Sequence, residues 1–368
     1  MARSLYESFD KLEKFMADAF VAAGVPSGDA AICSRVLIDA DKRGIDSHGI
    51  GRLKPIYLDR IKAGLQCPVT KIDIIKETPA TIVLDGNNGM GQIIAEKAMQ
   101  YAIDKAKKCG LGMATVRNST HYGFAGYYAI MAIKEDMIGI TGTNARPSVA
   151  PTFGVENMLG TNPLVFGMPT DEDFPFTIDC ATSITQRGKI EQYQREHRTI
   201  PEGWVIDSQG RSGTDPDAVL KGLDDGSCAL APLGGIGEEL AGYKGYGYAT
   251  VVEILSSALQ GGLFLKNLSD VDSSGNGVKS RLGHFFIAIN IDCFTEPADF
   301  KKTTGQILRQ LRASKKAPGQ ERIYTAGEKE YIAWLDRKEK GLPLNEAMQK
   351  VLKDVQKEYG LWQYDFNF

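Results

Sequence analysis

Four histidines, His48, His121, His197 and His284, are the candidates for proton transfer in this chain, and their surroundings separate them. His48 lies in DSHGIGR, close to Asp46 and Arg52, and His121 lies in STHYGFAGYY, among small residues that let a ligand approach. An imidazole beside a guanidinium is what reduction of a ketone by hydride requires. The imidazole delivers a proton to the developing alkoxide, and the cation holds a carboxylate. The same residues also suit a helix-capping imidazole and a surface arginine, and spacing alone leaves both readings open. A helix N-terminus at Ser47 would favour neutral His48 while Asp46 would favour the cation, so no net pKa follows. His197, in the charged run QREHRT, is expected in solvent, and His284, opening GHFFIAINI, is expected to be a hydrogen-bonded structural imidazole. If the substrate carries a second carboxylate, Arg146 in TNARPS and Arg187 in TQRGK are the candidates to meet it.

Two glycine-rich stretches could hold phosphate. In TIVLDGNNGMGQIIAEKAM, Gly86, Gly89 and Gly91 give G-x-x-G-x-G in place of G-x-G-x-x-G, and the next strand ends at Arg117-Asn118 without an acid for a ribose. That favours a glycine turn tying a strand to a helix over a pyrophosphate cradle. In GGIGEELAGYKGYGYATVVEIL, a glycine-rich loop with Lys244 feeds a helix, offering backbone donors, a dipole and a cation. A solvated surface loop has the same sequence features.

Elements of known kind must position these groups. Phe9, Leu12, Met16 and Phe20 recur at helical spacing up to Gly24, and a second helix runs from Ser27 through Ile32, Val36 and Ala40 to Gly44. Ser47 is expected to cap a third helix bearing Leu53, Tyr57 and Ile61 and ending at Gly64, with His48 in its first turn. From Pro79 the pattern changes to short β-rich runs, at 81–84, 113–116, 138–143, 164–166, 176–178, 204–206 and 285–291, expected to build one sheet. Helix returns at 300–311 and 345–359. The expected organisation is a helical N-terminal part (1–77), a central mixed-sheet nucleotide-binding domain (78–298) and a helical C-terminal part (299–368) packed on the first.

Composition narrows the function further. Of the 368 residues, 43% are hydrophobic and 24% charged, an ordinary globular balance. The net charge of −3, with no long basic block, argues against nucleic acid as the main partner. The N-terminus lacks the look of a secretory or transit signal, and the longest apolar run, Val251 to Leu265, is broken by Glu253 and too short for a membrane span. The cysteines, Cys33, Cys67, Cys109, Cys180, Cys228 and Cys293, contain no C-x-x-C pair, which argues against a zinc site and a disulfide framework. A cytoplasmic protein with reduced thiols and no metal is expected.

Several stretches together, DSHGIGRL, DGNNGMGQ, NSTHYGFAGYY, GTNPLVFGMP, FTIDCATS, GWVIDSQG, TDPDAV, YKGYGYA, GHFFIAIN and AGEKEY, resemble the malate/L-lactate dehydrogenase family, which is unrelated to the Rossmann-type enzymes of similar names. The resemblance spans nearly the whole chain. It implies an α/β, α+β-mixed sheet of non-Rossmann type with a helical domain made by both termini. It implies NAD, with NADP as the alternative, held by Asp179, Cys180 and Ala181, by Lys244 and Gly245, and by the turn Gly327, Glu328, Lys329. His48 and His121 match residues assigned to proton transfer in different members, and Arg52 and Tyr57 match residues near the substrate. A homodimer is implied. The turn usually P-G-E-R reads A-G-E-K here, which keeps a cation but loses arginine's bidentate geometry. The stretch from Lys221 to Gly242 is longer than the family's usual. The expected reaction moves a hydride between NAD(P)H and a small 2-keto or 2-hydroxy acid, with oxaloacetate and malate first. L-lactate, sulfolactate, a diketo-sugar acid or a cyclic imino acid are the alternatives. A dinucleotide-binding regulatory protein without turnover is the reading from another class, and the presence of both His48 and His121 beside GTNP and KGYG argues against it.

Overall fold

The computed structural model describes residues 5–366 and Phe368. From the N-terminal end, β1 (Leu5–Glu7) leads into α1 (Phe9–Ala22) and α2 (Ser27–Lys42), then a 3-10 turn (Ile50–Arg52), a π-helical stretch (Leu53–Leu58) and α3 (Asp59–Lys62). The middle carries β2 (Asp73–Glu77), β3 (Thr81–Asp85), α4 (Gly91–Cys109), β4 (Leu111–Ser119), α5 (Gly126–Ile133), β5 (Met137–Thr143), β6 (Leu164–Met168) and β7 (Phe176–Cys180). There follow α6 (Arg187–Arg195), β8 (Val205–Asp207), α7 (Pro216–Asp225), β9 (Cys228–Leu230), α8 (Gly242–Leu255) and β10 (Leu282–Asn290). Last come α9 (Pro297–Ala313), α10 (Glu328–Lys340), β11 (Leu342–Leu344) and α11 (Glu346–Tyr359).

Seven strands form the central sheet in the order β2-β3-β4-β10-β5-β6-β7. Only β3 and β4 pair in parallel, joined by the α4 crossover that a parallel pair requires; every other pairing is antiparallel. The sheet is therefore mixed and not doubly wound, as expected for the non-Rossmann class. Strand β10, far along the chain, inserts between β4 and β5, and its Gly283–Phe286 run is buried. Helix α4 lies against the sheet through Ile94, Ala95, Ala98, Met99 and Ala102, a stripe at helical spacing. It approaches so closely that a side chain at Gly112 would meet the Ala102 carbonyl oxygen at 2.0 Å.

Both ends of the chain make one helical unit. β1 pairs antiparallel with β11, and Leu12, Phe15, Met16, Phe20, Leu37 and Tyr57 share a core with Leu342, Leu352, Val355 and Phe366. Helix α10, which the sequence pattern did not show, buries only Glu328 in its length, so it has no apolar stripe to read.

Two expectations need correction. The run at 204–206 does not join the main sheet: β8 pairs with β9 in a separate two-stranded sheet. Val205 packs with Ile190, Val219 and Leu230 in a core of its own, so the partner of β8 was set by α6 and α7. The third helix is also not a regular helix capped by Ser47. The stretch passes from 3-10 through π to a single α turn, with Pro55, which has no N–H to donate, inside the π segment. Its entry is fixed by Asp41 on α2, whose carboxylate accepts from the Ile50 N–H at 2.8 Å. Gly49 is required there, because a Cβ would stand 1.8 Å from Asp41 Oδ1.

Candidate active site

A cleft of about 950 Å³ runs between the end of α2 with the loop to His48, the His121–Gly126 segment, the β5 end at Thr143, the β7 edge and the first turns of α10. The sheet register explains why these come together. His284 on β10 stands opposite Val116 on β4 and Thr143 on β5, and in the next row Phe285 stands opposite Gly142, which continues through Leu164 on β6 to Cys180 on β7. The chain leaving β4 therefore delivers His121 to the same end of the sheet as Thr143 and Ala181.

His48 and His121 stack, with ring centroids 5.8 Å apart and planes 18° from parallel. Behind His121, fully buried Tyr57 places its hydroxyl 2.7 Å from Nδ1, and the Gly123 N–H donates to the same nitrogen at 3.3 Å. A backbone N–H only donates, so Nδ1 is the acceptor and the ring proton of neutral His121 sits on Nε2, on the side away from Tyr57. Burial, then the charges of His48, Arg52, His284 and Arg60, hold His121 well below the usual histidine range.

His121 is placed by the glycine turn that resembled a phosphate loop. Asn87 and Asn88 adopt left-handed conformations there (φ 48° and 59°), and Asp85 ties the turn by accepting from Asn87 N, Arg117 Nε and Asn118 Nδ2. Gly91 opens α4 directly beneath the site: its N–H donates to Thr120 Oγ1 at 3.0 Å, and a Cβ there would lie 2.4 Å from the carbonyl oxygens of Thr120 and His121. The turn is filled by protein groups, and it serves the site by holding the His121 backbone.

His48 is half-buried, with Ser47 Oγ 2.8 Å from its Nδ1. The two opposing influences expected from sequence are both removed: no regular helix begins at Ser47, and Asp46 is paired with Arg337. What remains is partial burial and the charge of Arg52, which push His48 down to about 4. Arg52 itself donates from Nε to the Ser47 carbonyl. Thus the structure brings His48, His121, Arg52 and Tyr57 into one cluster.

His284 is the structural imidazole the sequence suggested. It is fully buried, 2.7 Å from Thr143 Oγ1 and 2.7 Å from Ser119 Oγ, and stacked on Tyr122 at 4.4 Å. Through Thr143 and Tyr122 it fixes two residues of the cleft wall. Burial pushes it down to about 3. His197, exposed with φ 52° at the end of α6, is remote from the cleft wall.

The residues expected to hold a cofactor separate into two groups. Asp179, Ala181 and Gly327 line the cleft. Asp179 accepts from the Gly126 N–H at 2.6 Å at the start of α5, yet the crowded cleft walls and Glu330 push it up to about 6. Gly327, at φ 91°, lies so close to β7 that a Cβ would stand 2.4 Å from the Pro175 carbonyl oxygen. Cys180 is exposed but lies outside the cleft wall. Glu328 is buried and committed to its own helix start, accepting from the Thr325 N–H and pairing with Arg322. Lys329 is exposed and sits 4.9 Å over the Tyr324 ring.

Lys244 and Gly245 also lie outside the cleft wall. The KGYG segment is inside α8, and Gly245 packs against the Leu233 backbone, where a Cβ would meet the carbonyl oxygen at 2.2 Å. Gly242 and Gly245 serve close packing of α8 on the 233–237 loop, whereas nothing lies within 4 Å of a Cβ at Gly247. Arg187 is held by Glu191 and Asp224, whereas Arg146, beside Ala145 of the cleft wall, is exposed and makes no ion pair among the described residues.

Sequence reasoning missed the wall that α10 and the β6–β7 turn supply: Phe174, Tyr331 and Trp334, with Asp173 and Glu330. Phe174 and Tyr331 stack with centroids 5.5 Å apart. The only available signal was aromatic residues at i and i+3 after the AGEK turn, Tyr331 and Trp334, on a helix with no apolar stripe to announce it.

Residues 8–353 match the family described as malate/L-lactate dehydrogenase, and the chain belongs to that family. A malate dehydrogenase of Pyrococcus abyssi (strain GE5 / Orsay) is 44% identical over 352 residues, covering 96% of this chain and 94% of that protein. An L-sulfolactate dehydrogenase of Methanocaldococcus jannaschii is 38% identical over 351 residues, covering 95% and 96%. The crystal structure of malate dehydrogenase from Entamoeba histolytica matches with a TM-score of 0.94 at 44% identity, covering 100% of both chains.

Proposed function

We propose that this chain catalyses reversible hydride transfer between NAD(P)H and oxaloacetate, giving malate. The observation that carries the reading is the stacked His48–His121 pair, backed by Tyr57 and neighboured by Arg52, at one end of a cleft that continues along β7 to Gly327. The cleft suits a dinucleotide. It is at the upper end of small-molecule sites in volume, and Thr177 Oγ1 on its wall is a buried hydroxyl with no partner. Asp179, Ala181, Thr177 and Gly327 are the residues that would hold the cofactor. When bound, the nicotinamide supplies the hydride in reduction and accepts it in oxidation.

The protein's own groups then handle the proton and the carboxylates. His121, crowded by positive neighbours and accepting at Nδ1, stays neutral and offers Nε2–H to the substrate oxygen. His48, less crowded, is the imidazole that changes protonation: in malate oxidation it takes the hydroxyl proton, and in reduction it returns it. Burial contributes most to holding His48 at about 4, and a substrate carboxylate beside Arg52 offsets the second cause, that arginine's charge, and so raises His48 on substrate arrival. Arg146, exposed and without an ion pair among the described residues, is the cation for the second carboxylate. The relative named L-sulfolactate dehydrogenase supports the same arrangement, since a sulfonate needs the same second cation.

No helix among the described residues is long and apolar enough to cross a membrane. All six cysteines are free thiols, which supports a cytoplasmic setting. Exposed Tyr248, Val251 and Ile254 on α8, with Leu259 beyond it, support a homodimer, to be checked by light scattering.

The test is NADH consumption with oxaloacetate, pyruvate and sulfopyruvate. Oxaloacetate is expected to give the highest kcat/KM. Binding of NADH without consumption by any 2-keto acid would convert the reading to a regulatory dinucleotide-binding protein.

A further inference from the structure

The end of the cleft farthest from the histidines carries a charge pattern that the reaction itself does not require. The sheet register places Cys180 in the row next to that of Thr143 and His284, so the start of β7 lies at the other end of the strand, about 13 Å away at ~3.3 Å per residue. If hydride transfer occurs beside His48 and His121, the adenosine half must extend along β7 toward Phe174, Thr177 and Tyr331. That end offers an aromatic pair and the unpartnered Thr177 hydroxyl. It also offers Asp173 and Glu330, neither of which makes an ion pair among the described residues.

The two basic side chains that line the cleft wall, Lys42 and Arg43, both face carboxylates. Arg43 is bonded to Asp39 at 2.9 Å and Lys42 faces Glu13 at 3.8 Å. Arg309 is shared by Asp171 and Glu172, Arg312 pairs with Glu172, and Arg322 pairs with Glu328. Lys329 lies over Tyr324, outside the cleft wall. Among the described residues that line this end of the wall the unpaired charge is therefore negative, and Asp179 farther along β7 registers it through Glu330.

We propose that Asp173 and Glu330 make the enzyme selective for NAD(H) over NADP(H), by accepting hydrogen bonds from the adenosine ribose hydroxyls and repelling a 2′-phosphate. This rests on the cofactor reading above. A ribose diol donates to a carboxylate, whereas a 2′-phosphate brings about two further negative charges to a wall that already presents Asp173 and Glu330. Like-charge juxtaposition of this kind disfavours the phosphorylated cofactor, so kcat/KM should favour NADH by about 10²-fold.

The experiment measures kcat/KM for NADH and NADPH with oxaloacetate, and cofactor affinity by nucleotide fluorescence, in the wild type and in D173N/E330Q. The double variant should weaken NADH, strengthen NADPH and bring the ratio within about tenfold, a change of about 1.4 kcal/mol or more in discrimination. In the wild type, raising ionic strength should improve NADPH more than NADH, because the repulsion is screened. Equal use of both cofactors by the wild type, or an unaltered ratio in a folded double variant, overturns the proposal while leaving the dehydrogenase reading in place. Failure of either nucleotide to bind overturns both.

Discussion

Gly91→Ala tests the argument that the turn before α4 positions His121. The added Cβ would lie 2.4 Å from the carbonyl oxygens of Thr120 and His121 and 2.7 Å from the His121 carbonyl carbon, all backbone atoms. Restoring an ordinary contact of 3.4 Å or more requires about 1 Å of separation between α4 and the His121 backbone. The Tyr57–His121 bond is 2.7 Å long, and a shift of that size in the unfavourable direction takes it beyond hydrogen-bond range. A displacement of about 1 Å at a reacting group costs about 10²-fold in rate, and overpacking of this kind costs about 1–3 kcal/mol in stability. The assay is kcat for NADH-dependent oxaloacetate reduction, with NADH affinity by fluorescence and thermal unfolding alongside. Gly188→Ala is the control, since nothing lies within 4 Å of a Cβ there and its helix should gain slightly. The expected result is a large fall in kcat with NADH affinity kept in Gly91→Ala, and wild-type kcat in the control. Wild-type kcat in folded Gly91→Ala would refute the claim that this glycine sets the position of His121.

Four further outcomes are expected. His48→Asn should lower kcat by about 10²–10⁴-fold and remove one arm of the pH profile, while His121→Asn should mainly raise KM for the keto acid; the reverse pattern exchanges their roles. Tyr57→Phe should lower kcat about tenfold, the worth of one hydrogen bond, without changing NADH affinity, and an unchanged kcat would show that the hydroxyl does not orient His121. Arg146→Gln should bring kcat/KM for oxaloacetate down toward that for pyruvate, and a preserved preference would require another cation for the second carboxylate. His284, pushed down to about 3 in the fold, binds its proton more readily when unfolded, so its stabilisation is complete above about pH 6.5 and is lost as the pH falls toward 3. His284→Gln should flatten the stability curve between about pH 6 and 4 by about 1.4 kcal/mol per pH unit, measured by denaturant unfolding. An unaltered slope would mean that His284 is not the buried group being titrated.

The fold class and much of the site were written locally. Helix periodicity identified α1, α2 and α11 because each has an apolar face to bury, and the β10 run Gly283–Phe286 betrayed a buried strand. His284 was recognisable as structural for the same reason. DSHGIGR and STHYGFAGYY held the two candidate imidazoles because small neighbours and adjacent charges are visible in a linear string. The third helix failed because its geometry is set from outside, by Asp41 capping Ile50 and filling the space at Gly49. The resemblance to a family supplied Asp179, Ala181 and Gly327, which do line the cleft, together with Lys244, Glu328 and Lys329, which do not.

What sequence determined by itself was the inventory: which histidines were available, which segments alternate or repeat with helical period, and that the chain resembles a dehydrogenase family. Tertiary structure decided the chemistry of that inventory. Whether His48 is raised or lowered depended on Arg337 neutralising Asp46 and on Arg52 standing near, and those partners come from opposite ends of the chain. The function of the Gly86–Gly91 turn depended on which backbone it touches, and the negative far end of the cleft depended on which carboxylates had already been paired. Pairing, burial and close approach are properties of distances between residues far apart in the chain, and local spacing carries no record of them.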